Sequence, residues 1–137
     1  EETNQFCDFT EAVLEIVSKS NIKHGSVTLY TPHTTTAVVI NESETGYIND
    51  FKKKIEELVP SDSYYEHDDW DLRTENMQED ENVNGRSHVR GTIIGSTGIT
   101  LPIINSELII GRWQRLFFVE LDCARSRRLF VQTQDLN

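Results

Sequence analysis

The sequence predicts an α+β fold, mostly antiparallel β-sheet or sandwich, with two main helices in the N-terminal half. Two segments before residue 60 carry apolar side chains at intervals of three and four, which is the spacing of a helix face. After Gly85 the chain consists of β-branched and aromatic runs separated by short turns, without the strand–helix alternation of a doubly wound sheet. The 137 residues are expected to form one domain over 1–137.

The first predicted helix begins with Thr10 as N-cap, followed by Glu11, an acidic residue that favours the helix dipole in the first turn. It is expected to end near Ser20. The second helix covers Thr45–Leu58 and ends before Pro60. Its lysines and glutamates are expected to face solvent.

Two β-type runs enclose a break at Pro32, a residue that cannot donate to a sheet ladder. Residues 26–30 precede the break and residues 38–40 follow it. His33 is therefore expected at a strand-to-loop junction. Imidazole is the commonest metal ligand and titrates near neutral pH. Thr34 and Thr35, which come next, offer hydroxyls to backbone or to a ligand.

Residues 61–85 lack periodicity, and a loop of this length in a compact domain is usually functional or disordered. Tyr64, Tyr65 and Trp70 indicate that its first half is packed and functional. The acidic second half is interpreted as an exposed excursion. His67 lies in the aromatic half.

The chain after Gly85 is predicted to be β-rich. Side chains alternate across a strand, so Arg86, His88 and Arg90 would share one polar face of the first strand. Val89 and Ile93 would then point into the core. The predicted strands are 87–94, 99–104, 107–110, 114–121 and 127–134, with the second and third forming a hairpin.

The net charge of -10 argues against binding to nucleic acid or to an anionic membrane. No apolar run is long enough to cross a bilayer, and Glu1 and Glu2 stand where a signal peptide would need bases. Cys7 and Cys123 suggest no disulfide framework, so a reducing cytoplasm is the simpler interpretation.

Seven arginines and no lysine lie between Gly85 and the C-terminus, and arginine suits bidentate contact with carboxylate or phosphate. The group at 125–128 is predicted to face solvent or to pair with acids. Arg86 and Arg90 are the stronger candidates for a site. No local zinc pattern and no phosphate-binding glycine-rich loop is present, and on spacing alone the three histidines at 33, 67 and 88 could be unrelated.

Separated motifs in a fixed order resemble the YjbQ family over about Phe9 to Gln132. They are Thr31-Pro32-His33-Thr34-Thr35, Tyr65-Glu66-His67-Asp68, Asn84-Gly85-Arg86-Ser87-His88, Gly95-Ser96 leading into Thr100-Leu101-Pro102-Ile103, Gly111-Arg112-Trp113-Gln114, and Glu120-Leu121-Asp122 with Arg125-x-Arg127-Arg128. The resemblance implies a small homotrimeric α+β protein of a family described as secondary thiamine-phosphate synthases. It also implies that His33, His67 and His88 converge on a shared, metal-occupied pocket.

Thiamine-phosphate synthesis joins a pyrimidine-methyl pyrophosphate to a thiazole phosphate, so the resemblance implies a small phosphorylated substrate. Three imidazoles favour zinc, whereas pyrophosphate chemistry usually recruits magnesium through oxygen ligands. Arg86 stands where some family members have a further histidine. The candidate anion-binding residues are Arg86, Arg90, Thr34, Thr35 and Asn84.

Two other functions remain open. A metal-dependent hydrolase would need the three histidines and a carboxylate, for which Glu120 or Asp122 could serve. A trimer that binds a metal or a small anion without catalysis is the third possibility.

Overall fold

A computed structural model describes residues 3–136. The signal-peptide prediction at Glu1 and Glu2 lies outside the described residues. The elements are β1 (Gln5–Asp8), α1 (Thr10–Lys19), β2 (His24–Tyr30), β3 (Thr36–Asn41), α2 (Thr45–Leu58), a 3₁₀ turn (Glu66–Asp68), α3 (Gly85–Ile94), β4 (Gly98–Ile104), β5 (Glu107–Leu108), β6 (Arg115–Glu120) and β7 (Phe130–Asp135).

The strands form two antiparallel sheets, which confirms the predicted α+β fold. One sheet has the order β1-β6-β3 and the other β5-β4-β2-β7. Val13 and Val17 of α1 pack against Val27 and Leu29 of β2 and Leu116 of β6 in the main core. Burial of such side chains is the dominant favourable term in folding. A smaller core lies on the opposite face of the β1-β6-β3 sheet and consists of Ala37, Phe117, Val119 and Leu121.

Several predicted elements are confirmed. The second helix has the predicted bounds, and both strands around the His33 junction are present. The predicted hairpin forms through Asn105 and Ser106, which both have positive φ. Pro102 is tolerated because its carbonyl accepts from Ile109 on the β5 side, so its missing N–H does not interrupt the β2 ladder.

The predicted strand over 87–94 is wrong, because this segment is helix α3. Its first N–H groups have a dedicated acceptor, since Asp68 Oδ1 accepts from the amides of Asn84 and Gly85 at 2.9 Å each. Gly95 ends the helix with a φ of 71°. Tertiary contacts thus override the strand preference of the β-branched residues in this segment.

Two further local predictions are wrong. Thr10 is not the N-cap of α1 but its first residue. The amide and the hydroxyl of Thr10 donate to Asp8 Oδ1 at 3.0 and 2.7 Å. Val89 and Ile93 do not point into the core but are 41% and 51% exposed. The strand β1 falls in a segment too short to assign from sequence.

No helix within residues 3–136 has the length and apolar character needed to cross a membrane.

Gly25 holds β2 against β7, and its replacement by alanine is expected to destabilise the fold by about 1–3 kcal/mol. A Cβ there would lie 2.1 Å from the carbonyl oxygen of Gln134 and 2.7 Å from Cγ2 of Ile22. Neither the Gln134 backbone nor the packed Ile22 side chain can move away without a loss of stability. Urea unfolding should show the loss, while Gly111→Ala, whose Cβ would meet only the flexible Gln114 side chain, stays near wild type. Equal midpoints for the two variants would contradict this packing.

Candidate functional site

Two histidines that are distant in sequence meet at the start of α3. His67 lies on the 3₁₀ turn and His88 in the first turns of the helix. Their ring centroids are 4.5 Å apart with an interplanar angle of 72°, an edge-to-face contact. The bonds from Asp68 to the start of α3 tie these two elements together. The structure therefore brings together two of the three histidines that the resemblance assigns to one pocket.

Asn84 determines which nitrogen of His67 carries a proton. Its side-chain amide Nδ2 donates to Asp122 Oδ2 at 3.1 Å, and a carboxylate only accepts. Asn84 Oδ1 therefore faces His67 Nε2, at 3.2 Å, and Glu81 Oε1 lies 3.5 Å from the same nitrogen. With two oxygen acceptors beside it, Nε2 is the N–H of the ring. Nδ1 of His67 therefore carries the lone pair of the neutral ring.

The histidine pair lines a cleft of about 720 Å³. Its wall carries Glu66, Glu75 and Glu81 against one guanidinium, Arg73. Arg73 is used by the loop itself: it donates to Glu81 at 2.6 Å and to the carbonyl oxygens of residues 67, 75 and 76. The cleft is thus electrostatically suited to positive charge. It is lined by Thr34, Glu66, His67, Leu72, Arg73, Glu75, Asn76, Glu81 and His88.

His88 is the chemically available member of the pair. Within residues 3–136 no protein atom forms a hydrogen bond with its ring nitrogens. Burial lowers the pKa of His88, and the nearby His67 lowers it further, against the opposing effect of Asp122 and Glu81. The ring therefore stays neutral at neutral pH, with one N–H donor and one lone pair.

His33 lies on the loop between β2 and β3 and has a different partner. Its Nε2 accepts a hydrogen bond from the backbone N–H of Arg128 at 2.9 Å. Burial lowers the pKa of His33, and the charges of Arg127 and Arg128 add to the effect. The cleft wall contains Thr34, the next residue, but not His33 itself.

The three-histidine metal site does not fit this arrangement. No group of three or more His, Cys, Asp or Glu side chains that could hold a metal ion occurs in the described part of the chain. The Nε2 lone pair of His33 is occupied by Arg128, and Nε2 of His67 carries a proton between two oxygens. Zinc and magnesium stay predictions of the resemblance.

The prediction for the group at 125–128 is confirmed, because Arg125 and Arg127 pair with acids and Arg128 is exposed, whereas the prediction for Arg90 is wrong. Arg90 is fully buried and binds the Val59 carbonyl and Glu56, so it does not share a polar strand face with His88. Arg86 contacts the carbonyl of Val83, and its buried Nε has no partner among residues 3–136.

The remaining candidates lie in buried ion pairs and hydrogen bonds. Glu120 is bound by Arg127 at 2.5 and 2.6 Å, which leaves no carboxylate oxygen for a base. Thr35 accepts from the same guanidinium at 3.1 Å. Asp122, the alternative carboxylate, pairs with Arg125 and with Asn84. Of the predicted anion-binding residues, Thr34 alone lines the cleft.

Sequence reasoning missed Glu81 and Arg73 as parts of the site. Both lie in the segment interpreted as an exposed excursion, yet their side chains are 16% and 12% exposed. The sequence does contain one indication of this contact, because Arg73 is the single base among nine acids between residues 62 and 81.

The lowered pKa values of His33 and His88 link stability to pH. The unfolded chain binds protons on these rings at a higher pH than the folded chain. The free energy of unfolding is therefore expected to fall as pH drops below the ordinary histidine pKa of about 6.5. Urea unfolding between pH 7.5 and 5.5 should show a smaller fall for His88→Gln than for wild type or His24→Gln. An identical fall in all three proteins would contradict the shift at His88.

Known proteins share this fold along the whole chain. The family described as UPF0047 protein YjbQ-like matches residues 1–135. A UPF0047 protein of Archaeoglobus fulgidus is 36% identical over 128 residues, which cover 93% of this chain and 90% of the relative. The crystal structure of a hypothetical protein from Aeropyrum pernix is 31% identical, with a TM-score of 0.83 and coverage of 98% and 92%. A protein of unknown function from Sulfolobus solfataricus superimposes with a TM-score of 0.80 at 31% identity and covers 96% and 86%. The chain belongs to the YjbQ family of UPF0047 proteins.

Proposed function

We propose that the cleft is the active site of a transferase of the thiamine-phosphate synthase type, which acts on small phosphorylated molecules. The observation that carries the proposal is the contact between His67 and His88, 4.5 Å apart, in an acid-walled cleft of about 720 Å³. A cleft of this volume is within the range of small-molecule sites. The reaction class comes from the family resemblance.

The charges of the cleft suit the course of such a reaction. The bond between the pyrimidine methylene carbon and pyrophosphate breaks, and its electron pair leaves with pyrophosphate. The thiazole nitrogen supplies the pair for the new C–N bond and becomes a thiazolium cation. Glu66, Glu75 and Glu81 lie where a developing positive charge would be stabilised.

His88 would donate a hydrogen bond to the departing pyrophosphate. Its neutral ring carries one N–H, and no other protein group in the described chain occupies the ring nitrogens. A positioned donor strengthens its bond to oxygen as negative charge accumulates there. Asn84, anchored on Asp122, holds the neighbouring His67 ring in one tautomer.

A hydrolase is the second candidate, favoured by the lowered pKa of His88. A neutral imidazole can accept a proton from water as the water oxygen attacks phosphorus, and the leaving group takes the electron pair of the broken P–O bond. Here His88 would act through its lone pair, whereas transfer needs its N–H.

The test is an assay of the purified protein with pyrimidine-methyl pyrophosphate, with and without thiazole phosphate, in buffers containing and lacking magnesium and zinc. Thiamine phosphate formed only when both substrates are present supports the transferase. Pyrophosphate or phosphate released regardless of thiazole phosphate supports the hydrolase. Neither product in any buffer contradicts the proposed activity and favours the non-enzymatic binding protein.

Other properties rest on the resemblance or on composition alone. These are the homotrimer, the cytoplasmic location and the metal, with zinc preferred over magnesium. The assay is therefore run beside a measurement of metal content and of molar mass in solution.

A further inference from the structure

A second cavity lies in the aromatic half of the long loop and shares no lining residue with the His67–His88 cleft. Its volume of about 570 Å³ is within the range of small-molecule sites. No lysine, arginine or histidine is among the described residues that line it. Three aromatic rings and three carboxylates form most of its wall, namely Tyr64, Tyr65 and Trp70 with Asp68, Asp69 and Asp71.

The aromatic rings are anchored although much of their surface is open. The hydroxyl of Tyr64 donates to Asp69 Oδ2 and the hydroxyl of Tyr65 donates to a backbone carbonyl, each at 2.6 Å. Tyr64 and Trp70 are nevertheless 67% and 43% exposed. Apolar surface that is left exposed in a group rather than singly is typical of binding sites. The hydrogen bonds hold the two tyrosine rings in place before any ligand arrives.

The carboxylates give this cavity a negative charge. The hydrogen bond from Tyr64 lowers the pKa of Asp69, and the same bond raises the pKa of Tyr64 to about 12. At neutral pH this pair is therefore one carboxylate and one neutral phenol. Because no basic side chain lines the cavity to neutralise the carboxylates, its charge is complementary to that of a cation.

We infer that this cavity binds a small organic cation, a quaternary ammonium molecule of about the size of choline. The faces of aromatic rings attract cations, and tryptophan does so most strongly. Trp70 already contacts one cation of the protein, because the Arg73 guanidinium lies 6.0 Å from its ring centroid. Arg73 lines the His67–His88 cleft and not this cavity, so it does not occupy the place of the ligand.

The wall favours a quaternary nitrogen over a primary ammonium. A primary ammonium carries three N–H donors, which lose hydrogen bonds to water when they meet aromatic carbon. The methyl groups of a quaternary nitrogen have no such donors and pack against the rings. The cavity volume is also larger than the head of one methylated lysine would fill, which favours a free molecule over the side chain of a peptide.

The test is an NMR titration of the ¹⁵N-labelled full chain with choline chloride at constant ionic strength. The chain has two tryptophans and hence two indole N–H signals. The signal of Trp70 is expected to shift saturably. The signal of Trp113, which is 62% exposed and does not line the cavity, should stay in place.

Calorimetry of two matched variants locates the site. Trp70→Leu keeps an apolar side chain but removes the ring, and it is expected to weaken choline binding at least about tenfold. Trp113→Leu makes the same change at an exposed tryptophan outside the cavity, and its affinity should stay within about twofold of wild type.

Two analogues of choline test the chemistry on the wild-type protein, so the comparison does not depend on the folding of a variant. The neutral analogue, in which carbon replaces the quaternary nitrogen, has the same shape and should bind at least about tenfold more weakly. Ethanolamine keeps the positive charge on a primary ammonium and should also bind more weakly than choline.

A Trp70 signal that does not move, or equal losses in the two tryptophan variants, overturns the site. Equal affinity for choline and its neutral analogue overturns its cation character. Ethanolamine that binds as tightly as choline overturns the role of the rings, and a trimethyllysine peptide that binds more tightly overturns the assignment to a free molecule. Choline binding by a protein without transferase or hydrolase activity would overturn the proposed function and leave this site standing.

Discussion

His88→Ala is expected to lower the turnover number of the transfer reaction by about 10²-fold to 10³-fold, as for the loss of one preorganised donor to a leaving oxygen. The ring is part of the cleft wall and has no hydrogen-bond partner among the described protein groups, so little of the fold depends on it. The measurement is kcat and KM with both substrates. His24→Ala is the control, since His24 begins β2 and is not in the cleft wall.

His88→Gln distinguishes the two roles considered for this ring. A glutamine amide keeps an N–H donor but cannot accept a proton at neutral pH. If His88 stabilises departing pyrophosphate, the glutamine variant should retain more activity than the alanine variant. If it acts as a general base on water, both should lose activity alike. A His88→Ala protein with wild-type kcat would contradict either role.

Arg90→Ala is expected to reduce the free energy of unfolding by about 3 kcal/mol. Arg90 is 0% exposed. Its guanidinium closes the C-terminal end of α2 by binding the Val59 carbonyl at 2.6 Å and Glu56 at 2.5 Å. It also reaches Asn4 and Ser61, at 3.4 and 3.2 Å. Removing it leaves the Val59 carbonyl without its donors and opens a cavity beside α3.

Urea unfolding measures this loss, and two variants make it specific. Arg90→Met keeps most of the side-chain volume and should be destabilised less than Arg90→Ala. Arg112→Ala removes an exposed arginine and should stay within about 0.5 kcal/mol of wild type. Wild-type stability of Arg90→Ala, with a loss of anion binding instead, would restore the role that the sequence suggested for this residue.

Local patterns predicted most of the frame. The 3.6-residue periodicity of α2, the break at Pro32 and the Asn105–Ser106 turn are each encoded within a few residues. Helix α3 could not be predicted in this way, because its start depends on Asp68, which is 16 and 17 residues distant from the amides it accepts. Once the segment is helical, Arg90 turns to the core and His88 to the cleft.

The sequence identified residues of the candidate site but not the contacts between them. The motifs singled out His67 and His88, and the structure brings the two rings together. The position of His33 depends on Arg128, 95 residues away, and on ion pairs that bury Glu120 and Asp122. Such pairings between distant segments leave no trace in the spacing of one sequence, and for the same reason the buried position of Arg90 beside Glu56 was not predicted.

The most direct test of the central claim is an NMR titration of protein labelled with ¹⁵N-histidine, using pyrimidine-methyl pyrophosphate as ligand. If the His67–His88 cleft is the substrate site, the ring signals of these two residues shift saturably while those of His24 stay in place. Saturable binding by calorimetry with unchanged His67 and His88 signals would place the ligand elsewhere and contradict the account.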